Sequence, residues 1–161
     1  MPNISVVNLP ETRVVGLLYH GKDSFDEVPK LWEQLNKRYL EILPAGESHQ
    51  AAYGISIMGD DFEETGEFDY IAGFPSALPK ADLPEGMTTF TLPGGLYAYA
   101  TCPDLARIEE AFDSIYEQWL PGSAYGLDLS RGNICFEVYD ERFDPSTGVG
   151  AFDVYAPVKE K

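Results

Sequence analysis

The sequence predicts an α+β domain, an internally duplicated ββαββ unit that forms a curved, mostly antiparallel eight-stranded sheet with two helices on one face and a central ligand cleft. Three observations carry this. The chain repeats itself with a period near 84 residues: Phe68-Asp69-Tyr70-Ile71-Ala72-Gly73 recurs as Phe152-Asp153-Val154-Tyr155-Ala156-Pro157, and Val28, Leu31, Trp32 and Leu35 map onto Phe112, Ile115, Tyr116 and Trp119. Each half reads strand, strand, helix, strand, strand. No strand shows the continuous apolar run of an all-parallel sheet, which leaves antiparallel pairing with one face covered by helices. The 161 residues are therefore expected to form one domain, 1–161, of two pseudo-symmetric halves, 1–80 and 81–161, and a cleft between such lobes is where small ligands usually bind.

The elements follow in order. Ile4, Val6 and then Val14 to Tyr19 read as two β-branched strands around Pro10. Ser24-x-x-Glu27 has the form of a capping box, and Phe25, Val28, Trp32, Leu35 and Tyr39 recur at helical spacing until Pro44. Pro29 delays the regular helix, so it is expected from about Val28. Tyr53 to Met58 and Phe68 to Phe74 are strands, and Pro75, Pro79, Pro84 and Gly86 mark the connector between halves. In the second half Thr88 to Leu92 and Leu96 to Cys102 are strands around Pro93-Gly94-Gly95. Asp104 is the expected N-cap of a helix with the stripe Leu105, Ile108, Phe112, Ile115 and Trp119, ending before Pro121-Gly122. Ile134 to Tyr139 and Phe152 to Pro157 complete the set.

Composition limits the function. A 44% apolar content is that of a globular protein, no stretch approaches the roughly 20 apolar residues of a membrane span, and the N-terminus lacks signal-peptide character, so a cytoplasmic protein without membrane partners is expected. In that compartment Cys102 and Cys135 are expected as free thiols. Eleven basic against 27 acidic residues give a formal charge of −16, which repels phosphate backbones, disfavours direct nucleic-acid binding and favours cations. The densest acidic run, Asp60, Asp61, Glu63, Glu64, Glu67 and Asp69, lacks the calcium-loop spacing and reads as a solvated segment. His20 and His49 stand without partners at ligand spacing, so no metal is expected. No phosphate loop, nucleophile elbow or dinucleotide fingerprint is present, so no cofactor is expected.

Glu137 is the leading candidate residue. It interrupts Ile134-Cys135-Phe136-Glu137-Val138-Tyr139, a segment otherwise built like a central strand, where an ionised carboxylate is paired, exposed at an edge, or set to receive a cation. Alternation places Cys135, Glu137 and Tyr139 on one face and Phe136 and Val138 on the other. Phe136 and Val138 are then expected to cover the helix, leaving Glu137 to face the cleft, and the 84-residue offset matches it with Tyr53. Tyr97 and Tyr99 share a strand face opposite the helix-facing Ala98 and Ala100; Tyr70 and Phe74 share another; Tyr19 lies in line with Val15 and Leu17. One carboxylate among several rings suits a flat, lipophilic cation, since a ring face attracts positive charge by ~0.5 to 2 kcal/mol.

On these residues the chain resembles the GyrI-like family, the small-molecule-binding domain also fused to DNA-binding helices in bacterial multidrug-responsive and AraC-type regulators. The segments are Val15-Gly16-Leu17, Trp119-Leu120-Pro121-Gly122-Ser123-Ala124-Tyr125, Phe136-Glu137-Val138-Tyr139-Asp140 and Asp153-Val154-Tyr155-Ala156-Pro157-Val158. The resemblance implies a duplicated fold with a central cleft, and a seventh-strand glutamate that reads the positive charge of hydrophobic drugs, a position Glu137 occupies. The chain begins at its first strand without a helix-turn-helix, as a stand-alone member would. Relatives of that kind suggest three roles: sequestration of cationic compounds, binding to DNA gyrase or another regulatory protein, and hydrolysis of cyclopropane-bearing electrophiles. Hydrolysis requires a second acid or base beside Glu137, for which Glu109 or Glu110 is the available choice.

Overall fold

In the computed structural model, residues 3–22, 26–42, 51–144 and 147–161 are described. Strands β1 (Ser5–Leu9) and β2 (Thr12–Gly21) lead into helix α1 (Glu27–Ile42), followed by β3 (Ala52–Ile57), the one-turn helix α2 (Phe62–Thr65) and β4 (Phe68–Pro75). The second half contributes β5 (Met87–Leu92), β6 (Gly95–Cys102), α3 (Ile108–Asp113), β7 (Tyr125–Leu127) and β8 (Ile134–Tyr139), then the short β9 (Phe143–Asp144) and β10 (Val149–Gly150), and finally β11 (Phe152–Glu160). The fold is α+β with eight principal strands, and every registered strand pair is antiparallel.

The chain forms two compact units, Thr12–Leu92 and the residues before Thr12 together with Pro93–Lys161. This differs from a division at residue 80, because the first strand of each half pairs with the other half. β5 lies on β2, with Leu17 opposite Met87 and Thr12 opposite Leu92. β1 lies on β6, with Ser5 opposite Tyr99. The exchange follows from the turns: β1 and β2 are separated only by Pro10-Glu11, and Pro10 carries no N–H for a hairpin ladder. Each unit then has one strand order, β5-β2-β4-β3 in one and β1-β6-β11-β8 in the other.

In the 12–92 unit α1 packs on β2 and β4. Leu31, Leu35 and Ile42 supply its buried stripe against Val15, Leu17, Ala72 and Phe74. Pro29 sits in its first turn, where a missing N–H costs nothing because the first four N–H groups of a helix lack intrahelical acceptors. The capping-box Ser24, Phe25, Pro44 and His49, and the side chain of Tyr39, lie outside the described residues. Gly16 and Gly73 face each other across β2 and β4. A Cβ on Gly16 would run into the Ala72 carbonyl and one on Gly73 into that of Val15, so the close approach of these strands requires both glycines.

In the other unit α3 packs on β6 and β11. Ala98 and Ala100 give the helix close approach, and Ala111 and Ile115 fill the contact from above. The second helix is not uniform: a 3-10 turn at Leu105–Arg107 precedes α3, a π-helical segment Ser114–Trp119 follows it, and Leu120–Gly122 closes with a 3-10 turn. The expected Asp104 side-chain cap is not formed; the Asp104 backbone carbonyl instead accepts from the Cys102 thiol at 2.9 Å and the Arg107 N–H at 3.2 Å. β7, unforeseen because three residues around a glycine carry no periodicity, adds to the last residues of β11, Val158 opposite Leu127. Trp119 stacks on Tyr125 with centroids 5.8 Å apart, which explains the Trp-Leu-Pro-Gly-Ser-Ala-Tyr run.

Among the described residues no helix is long and apolar enough to cross a membrane.

Candidate functional site

Glu137 sits in the middle of β8 and is buried, with 4% of its surface exposed. An edge position in water is thereby excluded. Burying an ionised carboxylate costs several kcal/mol unless it is paired and hydrogen-bonded, and the Tyr139 hydroxyl donates to its Oε1 at 3.1 Å. Tyr139 is itself fixed by Phe143 and Phe152, with centroids 4.8 and 4.7 Å away. Burial, and then the neighbouring carboxylate, push the Tyr139 phenol far above its ordinary range, so it stays a proton donor.

The cross-strand register decides which face this is. Glu137 stands opposite Val154, and Val154 opposite Ala100. Directly paired residues share a face, so Glu137 belongs to the row of Ala98, Ala100, Cys102 and Ala156 on which α3 lies. The expectation that Phe136 and Val138 cover the helix is therefore reversed. Phe136 points the other way, onto Tyr155 at 4.8 Å and Tyr97 at 5.3 Å. Glu137 remains on the helix side because small residues on β6 and β11 leave the depth there that a larger side chain would have filled.

Two sequence candidates consequently leave the carboxylate's surroundings. Tyr97 and Tyr99 lie on the opposite face, as their alternation with Ala98 and Ala100 requires. Tyr97 is 1% exposed; its hydroxyl donates to the Pro93 carbonyl at 2.6 Å and the Arg131 guanidinium covers its ring at 4.7 Å. Tyr99 stacks on Tyr155 at 5.3 Å.

In the 12–92 unit Tyr19, Tyr70 and Phe74 do share one face, beneath α1. Tyr19 is opposite Tyr70, Val15 opposite Phe74, and the Trp32 indole N–H donates to the Tyr70 hydroxyl at 3.0 Å. Tyr19 meets Phe68 edge-on at 6.2 Å. Tyr53 stands opposite Gly73, on the other face, and burial raises its phenol pKa. Nor does Tyr53 match Glu137. β4 and β11 correspond at the 84-residue offset, so Tyr70 corresponds to Val154; Ser56 is opposite Tyr70 where Glu137 is opposite Val154. The counterpart of Glu137 is Ser56, because the stretch from Ser56 to Tyr70 is three residues shorter than that from Glu137 to Val154.

Sequence reasoning missed one group. Tyr116, read as part of a core stripe, shares a hydrogen bond with the Cys135 thiol, and burial holds its phenol well above the ordinary range. Cys135 precedes Glu137 by two residues on the same face. The signal available was the pair Phe112 and Tyr116, one helical turn apart and stacked at 6.4 Å. Glu109 and Glu110 are exposed in the first turn of α3.

His20 also acquires partners that spacing did not reveal: Asp69 Oδ1 lies 2.6 Å from Nδ1 and Glu67 Oε2 2.9 Å from Nε2. Hydrogen bonds to Asp69 and then Glu67 raise its pKa from 6.5. Among the described residues no group of three or more His, Cys, Asp or Glu side chains is placed to hold a metal ion.

Residues 5–158 match the family model described as Cass2, integron-associated effector binding protein. The chain is 36% identical over 159 residues to the transcriptional regulator BrlR of Pseudomonas aeruginosa; the match covers 95% of this chain and spans about half, 54%, of that regulator. Among solved structures, the C-terminal domain of EcmrR shares the fold with a TM-score of 0.73 at 13% identity, covering 100% of this chain and 99% of that one. SAV2435, solved bound to tetraphenylphosphonium, has a TM-score of 0.64 at 15% identity, covering 98% and 94%.

Proposed function

The chain belongs to the Cass2 family of GyrI-like small-molecule effector-binding domains, and we propose that its small molecules are lipophilic aromatic cations, with Glu137 supplying the countercharge. The observation that carries this reading is the Glu137 carboxylate at 4% exposure on the helix side of β8. A protein does not retain an ionised group in such a place for stability, since a well-packed apolar residue would serve as well or better. A cation that reaches it regains the Coulomb energy in a low-dielectric setting. Tyr139 holds the carboxylate and cannot neutralise it. The tetraphenylphosphonium bound by SAV2435 is an ion of the class this chemistry selects.

The chain of −16 net charge does not itself grip nucleic acid in this reading. Where a regulatory response follows, as the likeness to a transcriptional regulator suggests, ligand occupancy is passed to another segment or protein. The test is titration with tetraphenylphosphonium and with neutral triphenylphosphine oxide, for the native chain and Glu137→Gln. Micromolar binding of the cation, about −8 kcal/mol, lost in the variant while the weaker neutral binding persists, is the expected result. Equal affinity for both probes overturns the reading. Ring-opened product from a cyclopropane-bearing electrophile, formed by the native chain and not by Glu137→Gln, replaces it with an acid-catalysed hydrolase.

A further inference from the structure

We infer that Tyr116 is a specificity-determining residue of the Glu137 site, an aromatic wall carried on the π-helical turn Ser114–Trp119 and braced by Phe112 and Cys135; the inference rests on the proposed cation-binding reading and deepens it. In a regular α-helix five residues turn 500°, so Ile115 and Leu120 would point 140° apart. Both are buried, at 0% and 9% exposure. The π turn reconciles them: the Leu120 N–H bonds the Ile115 carbonyl five residues back, and Leu120 and Ile115 both reach the interior. π-Helical hydrogen bonds are rare and cluster at functional sites. A regular helix with Leu at position 119 would pack the same core without one.

Tyr116 lies on this turn, next to Ile115. Its ring is braced by Phe112 at 6.4 Å and its hydroxyl bonds the Cys135 thiol. Cys135 and Glu137 are two residues apart on one strand face, about 7 Å along β8. A phenyl-bearing cation whose charge approaches Glu137 is wider than that spacing, so its nearest arm meets Tyr116 and covers the thiol. The ring face adds attraction for positive charge that a neutral molecule of equal shape does not receive. Tyr116 thus sharpens the choice of cation over neutral ligand, and Cys135 becomes a reporter of occupancy.

The experiment titrates tetraphenylphosphonium and triphenylphosphine oxide into the native chain, Glu137→Gln, Tyr116→Ala and Tyr116→Phe, and follows iodoacetamide labelling of Cys135 by mass spectrometry, with fully buried Cys102 as internal reference. Tyr116→Ala is expected to weaken the cation about tenfold and the neutral probe much less, while Tyr116→Phe, which keeps the ring, stays within about threefold of native. Saturating cation is expected to slow Cys135 labelling in the native chain. If the native chain binds no cation, the reading of the site itself falls. If binding depends on Glu137 while Tyr116→Ala changes both probes equally, or Cys135 labels at the same rate with and without cation, the site stands and the role of Tyr116 is refuted. The labelling arm decides the matter even if Tyr116→Ala does not fold.

Discussion

Replacing Glu137 with Gln should make the unliganded protein more stable and the liganded one less so, and the two effects can be sized separately. Gln keeps the shape and an oxygen to accept the Tyr139 hydroxyl, whose bond to Oε1 measures 3.1 Å. What it removes is the charge of a group 4% exposed. Relief of desolvation in the free protein is expected at about 1–3 kcal/mol, and for a chain of this size each kcal/mol raises Tm by ~2–4 °C. For the complex, a phosphonium centre screened by its phenyl groups sits about 5 Å from the carboxylate; with an effective dielectric near 20 the lost attraction is about 3 kcal/mol, or roughly a hundredfold in Kd. Differential scanning fluorimetry with and without tetraphenylphosphonium reads both. A raised Tm without ligand, together with an abolished ligand-induced shift, is the expected pattern. Unchanged cation affinity at low salt would refute the assignment of charge recognition to Glu137, and a lowered Tm without ligand would refute the argument that its burial is a cost carried for ligand binding.

Three further outcomes follow from the same geometry. Tyr139→Phe deletes the hydrogen bond to a buried carboxylate and should destabilise the protein by about 1.5–3 kcal/mol, measured by urea unfolding; a loss below 0.5 kcal/mol would show that the bond is not formed in solution. His20 should titrate above 6.5, because Asp69 and Glu67 hydrogen-bond its charged form; its contribution to stability is then full below pH 6.5 and disappears as pH rises through the raised folded value, and Asp69→Asn should move the NMR midpoint back toward 6.5. Gly16→Ala should cost more than the usual surface substitution because its Cβ meets the Ala72 backbone; a melting temperature equal to native would mean that β2 and β4 separate freely at this point.

Periodicity and turn chemistry read directly from the sequence yielded all eight principal strands, helix α1, the helical run from Leu105 to Gly122 and the antiparallel class, since each depends on local alternation or on proline and glycine at the breaks. Glu137 was legible for a similar reason: one charge in an apolar strand is visible without any coordinates. Its face was not. Alternation states which side chains are together, not which side meets the helix, and that was decided by Val154 and Ala100 on strands distant in sequence. The pairing of Glu137 with Tyr53 failed because a single repeat offset does not hold over segments of unequal length; Ser56 emerges only from register. The spacing of Phe112 and Tyr116 was visible in the sequence, but the partners of Tyr116 and His20, Cys135 in one case and Glu67 and Asp69 in the other, were not, because tertiary structure alone brings them together. The exchange of β1 and β5 was hidden by the near-identity of the two segments that open each half.

That exchange has a bearing on how the chain is made. The 12–92 unit is continuous, so its four strands and helix are complete once Leu92 has left the ribosome, and it can fold while synthesis proceeds. The other unit begins with β1, whose partner strand starts at Gly95, and ends with β11, which finishes at Glu160 between β6 and β8. Within this unit the edge strand β1 is made first and the central strand β11 last. A short uncharged β segment, Ser-Val-Val-Asn-Leu, therefore waits until the residues up to Glu160 have been translated before its sheet exists. Contacts so remote in sequence slow folding and prolong exposure to wrong pairings. Of the two units, it is the one without Glu137 that emerges ready-made, and the carboxylate acquires its shielded place only when the final strand arrives.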